Sequence, residues 1–333
     1  MAPAKSSPLP RRLDRYDFAA LSQRMQQLID DHTANGFGLM IVKDGQIVYE
    51  KAFGQFKLDD VVPIASATKM PTVTAVMRLV DQKKIDLNEK VSKYLPEWPA
   101  DKTDMTIRQL LSCTHGLPQA VLVLLNRRIT LEDATKTIAQ MPLRSKPGEQ
   151  FAYGGAGFQV AGRVAEVVSG KPWNQFFQEE LAKPLGLTSF TYGLTQNPML
   201  GGGAFSNMED YAKLLILHLG KGLYNGQRFL NEQVVAEMQK DEIGQKPIAY
   251  SPVSHEYHYG LSWWLRPAER GKAVTEFSDP GMLGTTPWID LERGYGAIIL
   301  IRHRRGTGLR IHEAARPLIQ AAIDKVDGRN AQP

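Results

Sequence analysis

A hairpin near the start of this chain is the feature that most limits what it can fold into. Phe37 to Lys43 and Gln46 to Glu50 are β-rich runs on either side of Asp44-Gly45. That pair accepts the positive φ angles of a tight hairpin turn. The period then changes. From about Ala67 to Asp241 the apolar spacing is mainly helical, and β-rich segments return only after Tyr250. They run from Tyr259 to Leu265, Ala273 to Phe277, Pro287 to Leu291 and Tyr295 to Ile301, separated by Gly, Pro and Asp. Strands at both ends with helices between them predict an α+β fold: one antiparallel sheet formed from both chain termini, flanked by helices, with a large, mainly helical insertion.

Helices bracket this sheet in the sequence. Phe18, Leu21, Met25, Leu28 and Ile29 recur at helical spacing and predict an amphipathic first helix. A last helix is expected over about 312–326. Inside the insertion, Thr106 to Gln109 and Ser206 to Glu209 have the form of capping boxes, and Thr130 to Asp133 is a weaker version. The expected organisation is a flexible leader over 1–15, then a single catalytic domain over 16–333. Its sheet region is about 16–66 and 250–333, and its helical region about 67–249.

The chain has 333 residues and a formal charge of +5. That excess is small and scattered. Its densest run, Arg302 to Arg305 with Arg310, reads as a solvated turn after a strand rather than a nucleic-acid patch. No apolar stretch reaches the roughly 18–20 residues of a membrane span. The N-terminus lacks the apolar region of a signal peptide. The single cysteine, Cys113, allows no internal disulfide. The compartment and the oligomeric state are not legible in the sequence.

Chemistry concentrates at Ser66-Ala67-Thr68-Lys69, which leads into the apolar-periodic run Val73, Val76, Met77, Leu79 and Val80. Residues three apart on a helix share a face, so Lys69 stands beside Ser66. Serine needs a neighbouring base to become a nucleophile. Lysine can be that base where burial or positive charge lowers its pKa from about 10.4. The helix N-terminus favours an anion forming on the serine oxygen. Alone, the same four residues also fit a serine cap followed by a solvated lysine.

Further landmarks separate these readings. Ile64 to Lys69, Leu110 to Pro118, Gly201 to Ser206 and Tyr259 to Trp263 together resemble the serine β-lactamase and penicillin-binding-protein superfamily. The similarity is greatest to the class C-like branch that includes the family VIII carboxylesterases. In the second stretch, Cys113 stands at a usual histidine position and His115 at a usual serine position. The resemblance runs from the hairpin to the final strand. It implies Ser66 as nucleophile, Lys69 and Tyr153 as general base and acid, and an acyl-enzyme intermediate.

Two departures from the family pattern bear on substrate. The tyrosine–x–asparagine motif matches Tyr153-Gly154-Gly155, so Gly155 replaces the amide that in relatives is implied to hold the lysine and the substrate. The third motif matches Asp279-Pro280-Gly281. Gly281 keeps the glycine that lets substrate approach the backbone. The resemblance then implies an oxyanion hole made by the backbone N–H groups of Ser66 and Met282. Asp279 stands where a basic residue is usual. Facing a carboxylate about 4 Å away it would repel by roughly 4 kcal/mol at an effective dielectric near 20. That argues against penicillins and free peptide C-termini. A carboxylate near Lys69 would also favour charged lysine. Either Asp279 points away, or an arginine neutralises it, or Tyr153 is the principal base.

No G-x-S-x-G elbow is present. His255 and His258 lie in a Pro- and Ser-containing loop without a helical H-E-x-x-H pattern, so no metal or other cofactor is expected. Trp263, Trp264 and Trp288 read as core residues, with at most one touching substrate. Glu166 is given no catalytic role. The expected function is hydrolysis of neutral carboxylic esters, the substrate being a small ester or amide. The alternatives are a β-lactamase, a D-alanyl-D-alanine carboxypeptidase, a linear-amide hydrolase, or a binding protein without turnover.

Overall fold

A computed structural model describes residues 8–119, 121–268 and 272–329. Its centre is a seven-stranded antiparallel sheet. The strands are β1 (Gly36–Lys43), β2 (Gln46–Gly54), β3 (His258–Tyr259), β4 (Trp264–Leu265), β5 (Glu276–Ser278), β6 (Thr286–Asp290) and β7 (Tyr295–Leu300). Their order is β2-β1-β7-β6-β5-β4-β3. The join between the two ends of the chain is β1 on β7, with Gly38 opposite Leu300 and Lys43 opposite Tyr295.

Both faces of the sheet are covered, which explains why β1 reads as an unbroken apolar run rather than an alternating one. Phe37, Leu39 and Ile41 of β1 and Tyr295, Ala297 and Ile299 of β7 face one side. There they pack with Leu21, Met25 and Leu28 of α1 (Ala19–Asp30) and with Ile311, Ala315 and Ile319 of the last helix, Arg305–Asp327. Met40, Val42, Ile298 and Leu300 face the other side, toward Tyr211, Leu214 and Leu215 of helix Met208–Leu219.

The α+β architecture expected from the two termini is the observed one, and several boundaries move. Tyr259 to Leu265 is not one strand. Gly260 N–H bonds to Trp263 O at 2.8 Å and Ser262 has φ +76°, so the segment folds into the tight turn between β3 and β4. The last helix begins at Arg305, not near His312. Arg302, His303 and Arg304 are exposed, as a solvated turn requires, whereas Arg305 is half-buried.

The Thr106 and Thr130 capping boxes are both formed. The one expected at Ser206 is not. Ser206 belongs to a short strand paired with Val62–Pro63, and Asn207 caps the following helix by accepting from Asp210 N–H. Glu209 instead accepts from Leu9 N–H and binds Arg11. Within the expected leader, Leu9 and Arg11 are therefore tied to the rest of the chain. Leu9 is buried, and Arg11 also bonds to Glu50. The leader's first seven residues lie outside the described part.

Candidate active site

Ser66 lies on a short 3₁₀ turn, Ala65–Thr68, that runs directly into helix α2 (Lys69–Asp81). In a 3₁₀ turn, residues i and i+3 eclipse, so Lys69 stacks on the Ser66 side of the turn. Pro71 falls in the first turn of α2, where a missing N–H removes no helix bond. Every residue of α2 from Lys69 to Met77 is buried, as suits a helix at the centre of the molecule.

The turn is held under strain. Ala65 has φ +48°, a left-handed conformation that a residue with a Cβ rarely adopts. Thr68, fully buried, holds it there. Its hydroxyl donates to Ala65 O at 2.6 Å and accepts from Ala204 N–H at 3.1 Å. Ile64 N–H bonds to Ala204 O at 3.0 Å, so the strand before Ser66 hangs from the chain that follows Gly201–Gly203.

Lys69 is buried, and its Nζ donates to Gly201 O at 2.6 Å. It stands 4.5 Å from the centre of the Tyr153 ring and 5.4 Å from that of Phe158. Burial pulls its pKa below the usual lysine value, against the opposing pull that Asp279 and, less strongly, Cys113 exert when ionised. The Gly201 carbonyl thus occupies the lysine where relatives are implied to use an asparagine amide. Gly155, at that asparagine place, begins helix Ala156–Ser169. A Cβ on Gly155 would stand 3.0 Å from Leu124 Cδ1, and one on Gly201 would stand 3.1 Å from Gly155 Cα. Leucine and backbone fill the space of the absent side chain.

Tyr153 follows the two-residue strand Phe151–Ala152, which pairs in parallel with Ile248–Tyr250. Its own N–H bonds to Tyr250 O at 3.0 Å. The ring packs against Trp264 at 5.2 Å and Tyr259 at 5.8 Å between centroids. The hydroxyl is buried and makes no fully formed hydrogen bond among the described residues. Burial drives its pKa well above the usual tyrosine value and Asp279 adds to the rise. The nearby Ser66 hydroxyl and the charge of Arg305 act the other way. The resting phenol is therefore protonated.

Asp279, just past β5, is wholly buried. Its Oδ2 accepts from Met70 N–H at 3.0 Å, while Oδ1 has no partner among the described residues. Burial pushes the carboxyl up to about 8, against the pull of Lys69 and the Met70 bond. The carboxyl group lies against the start of α2 instead of facing solvent. Gly281 approaches the Ser66 turn closely: a Cβ there would be 2.3 Å from Ile64 O. The N–H groups of Ser66 and Met282 are not taken up by any hydrogen bond among the described residues.

Other singled-out residues fall into place as structure. Trp263, Trp264 and Trp288 are all buried. Glu166 accepts from Trp173 N–H and binds Arg163. It lines a groove of about 550 Å³ that contains none of the candidate site residues. His258 bonds to Asp241 at 2.6 Å. Cys113 is buried with φ +58°, and burial raises its thiol to about 11. His115 accepts from Leu117 N–H at 2.9 Å and is pushed by burial down to about 4.

Three contributors were not legible beforehand. The Gly201 carbonyl acts through its backbone and carries no side-chain signal beyond the glycine run. Ala65 is strained by its surroundings, not by its identity. Arg305, in the basic run, was discounted on sequence density alone.

A family model described as Beta-lactamase matches residues 21–322. Among curated proteins, the chain is 29% identical over 177 residues to Protein flp of Staphylococcus aureus strain N315, covering 49% of this chain and 36% of that one. It is 31% identical over 176 residues to the D-alanyl-D-alanine-carboxypeptidase/endopeptidase AmpH of Escherichia coli K12, covering 48% and 46%. The matches thus span less than half the length of these relatives. Among solved structures, a nominal β-lactamase from Bacteroides dorei DSM 17855 superposes with a TM-score of 0.82 at 27% identity, over 93% of this chain and 99% of that one. A family VIII carboxylesterase superposes with a TM-score of 0.76 at 20% identity, over 90% and 97%, a likeness of fold. With the family match running from the first helix into the last, this chain belongs to the β-lactamase family of serine hydrolases.

Proposed function

We propose that the protein hydrolyses neutral carboxylic esters through an acyl-enzyme on Ser66. The observation that carries the ester reading is the third motif. Where relatives are implied to present a basic side chain to a substrate carboxylate, this chain has Asp279, turned inward onto Met70 N–H. That strand end offers an anionic substrate no partner. The second motif agrees, because Gly155 has no amide to recognise a peptide-like side chain. The surroundings are apolar as well. Leu122 and Leu125 flank Leu124, the neighbour of Gly155, and Met282 follows Gly281; all three are exposed. Exposed apolar side chains close to a polar site suit an uncharged, partly apolar substrate.

In the chemistry, Lys69 is the base and Tyr153 the relay. Burial favours the neutral amine at Lys69 and the neutral phenol at Tyr153. The amine takes the Ser66 Oγ proton as Oγ attacks the ester carbonyl. The Ser66 and Met282 N–H groups receive the developing oxyanion. Tyr153 delivers a proton to the departing alkoxide and recovers one by way of Lys69. Water then attacks the acyl-enzyme by the reverse sequence, releasing the acid. Lys69 and Ser66 share no hydrogen bond in the free protein, where Nζ is occupied by Gly201 O. Catalytic contacts of this kind often tighten only with substrate bound.

One observation favours a second reading, an amide or peptide hydrolase. Arg305, at the first turn of the last helix, is near enough to Tyr153 to act on it electrostatically. A cation there supplies the partner for a substrate carboxylate that the third motif lacks. Turnover of p-nitrophenyl acetate, a chromogenic cephalosporin and a D-alanyl-D-alanine peptide, each with Ser66→Ala as control, separates the readings. Ester turnover lost in Ser66→Ala and exceeding the other two is the expected result. Faster cephalosporin or peptide turnover overturns the ester reading. An absence of any covalent adduct on Ser66 leaves a binding protein.

A further inference from the structure

The carboxyl group of Asp279 is an unusual thing to bury beneath a nucleophile. One oxygen accepts from Met70 N–H at 3.0 Å, and the other has no partner among the described residues. A buried, ionised carboxylate is costly unless it is paired and hydrogen-bonded, whereas the neutral acid tolerates that position far better. The opposing cation is Lys69, the residue before Met70. No ion pair within 4.0 Å joins the two among the described residues, so their interaction acts through space.

The other titratable groups coupled to Asp279 are neutral in their ordinary forms. They are Cys113 in the loop after helix Ile107–Leu111, Tyr153 after its short strand, Tyr211 on helix Met208–Leu219 and Tyr259 on β3. Tyr211 donates its hydroxyl to Ala67 O at 2.8 Å, away from Asp279. Arg305 acts on Tyr153 and is not among the charges that shift Asp279.

We propose that Asp279 is a positioning residue that acts through Lys69. As a neutral acid it braces the start of α2 and leaves the lysine a free amine; ionised, it holds the lysine as ammonium. This rests on the reading of Lys69 as the base for Ser66. It assigns Asp279 a role other than substrate contact: the residue sets the pH range in which the nucleophile can be activated. The direction of each shift agrees. Burial lowers Lys69 and raises Asp279, and each charge, when present, opposes the shift of the other.

The test is Asp279→Asn in the full chain, which keeps an oxygen for Met70 N–H and removes the charge. With ¹³Cε-labelled lysine, and Lys69→Arg to assign the signal, the Lys69 titration midpoint is expected to fall by at least about one pH unit. An opposite charge buried close by produces shifts of that size. The acid limb of kcat/KM for p-nitrophenyl acetate moves down with it. An unchanged midpoint overturns the proposal. The parent protein gives a second measurement that does not depend on the variant folding. Its Lys69 signal should respond in two steps, one of them at the ionisation of Asp279, and a single step overturns the proposal. Fluorophosphonate labelling of Ser66 is read separately. Its absence refutes the hydrolase reading, while the Lys69 midpoint still decides the coupling.

Discussion

Replacing Gly281 by alanine adds one methyl group where the third-motif strand end meets the nucleophile turn. Its Cβ would stand 2.3 Å from Ile64 O, about 0.7 Å inside the 3.0 Å that real Cβ atoms keep, and 3.3 Å from Ala65 Cβ. Neither neighbour can yield cheaply. Ile64 N–H is tied to Ala204 O, and Ala65 is already at φ +48° under the Thr68 hydroxyl. The relief is a displacement of the Gly281–Met282 backbone by a sizeable fraction of an ångström. That moves the Met282 N–H away from the position an oxyanion would take. A misplacement near 1 Å at reacting groups costs on the order of 10²-fold in rate, or about 3 kcal/mol of transition-state stabilisation. Overpacking lowers stability by about 1–3 kcal/mol. The assay is steady-state p-nitrophenyl acetate hydrolysis with urea unfolding in parallel. The expected loss is in kcat, with KM within a few-fold of the parent value. Gly306→Ala is the control: a Cβ there meets nothing within 4 Å, at a helical position, and should raise stability by about 0.5–1 kcal/mol without touching activity. A Gly281→Ala protein with kcat within threefold of the parent and unaltered stability would refute the reasoning.

Tyr153→Phe removes a buried hydroxyl that has no fully formed hydrogen bond among the described residues. Stability is expected to hold or rise by up to about 1 kcal/mol, while kcat/KM falls about 10²–10⁴-fold; parallel losses in both would make Tyr153 merely structural. Asn207→Ala removes the cap that accepts from Asp210 N–H, and a loss of about 1 kcal/mol in urea unfolding is expected; no loss would mean that the cap contributes nothing. His218 is buried and held neutral, its pKa pushed down to about 3 from 6.5. An unfolded chain therefore takes up a proton there that the folded one refuses. The stability that His218 contributes is complete above about 6.5 and drains as pH falls toward 3, by several kcal/mol on the order of 1.4 per pH unit. Asp279, raised to about 8, works in the opposite sense, so the measurement is the difference between the parent and His218→Gln. The parent's advantage should shrink steadily below pH 6.5, and a constant difference would contradict it.

Much of the fold was legible because local patterns and burial agreed. The Asp44-Gly45 turn, the apolar run of β1 and the Thr106 box each determine their own conformation within a few residues. The Ser206 box failed for a non-local reason. Ser206 is drawn into a strand by Val62 and Pro63, some 140 residues earlier, and Asn207 takes over the cap. The Tyr259–Leu265 segment reads as one strand because its residues are apolar and aromatic, yet Gly260 and Ser262 turn it back on itself.

By itself, the sequence determined the α+β architecture and set Lys69 beside Ser66, because spacing along a helix start and hydrophobic period are local properties of the chain; Tyr153 was singled out only by the family resemblance. Tertiary structure decided what surrounds them. It put the Gly201 carbonyl on Lys69, brought Arg305 within electrostatic reach of Tyr153, and turned Asp279 onto the start of α2. Each of these depends on groups more than 130 residues from Ser66 or Lys69, or some 150 from Tyr153. Side-chain direction and burial at such separations are set by packing, and packing also fixes the charge each group carries.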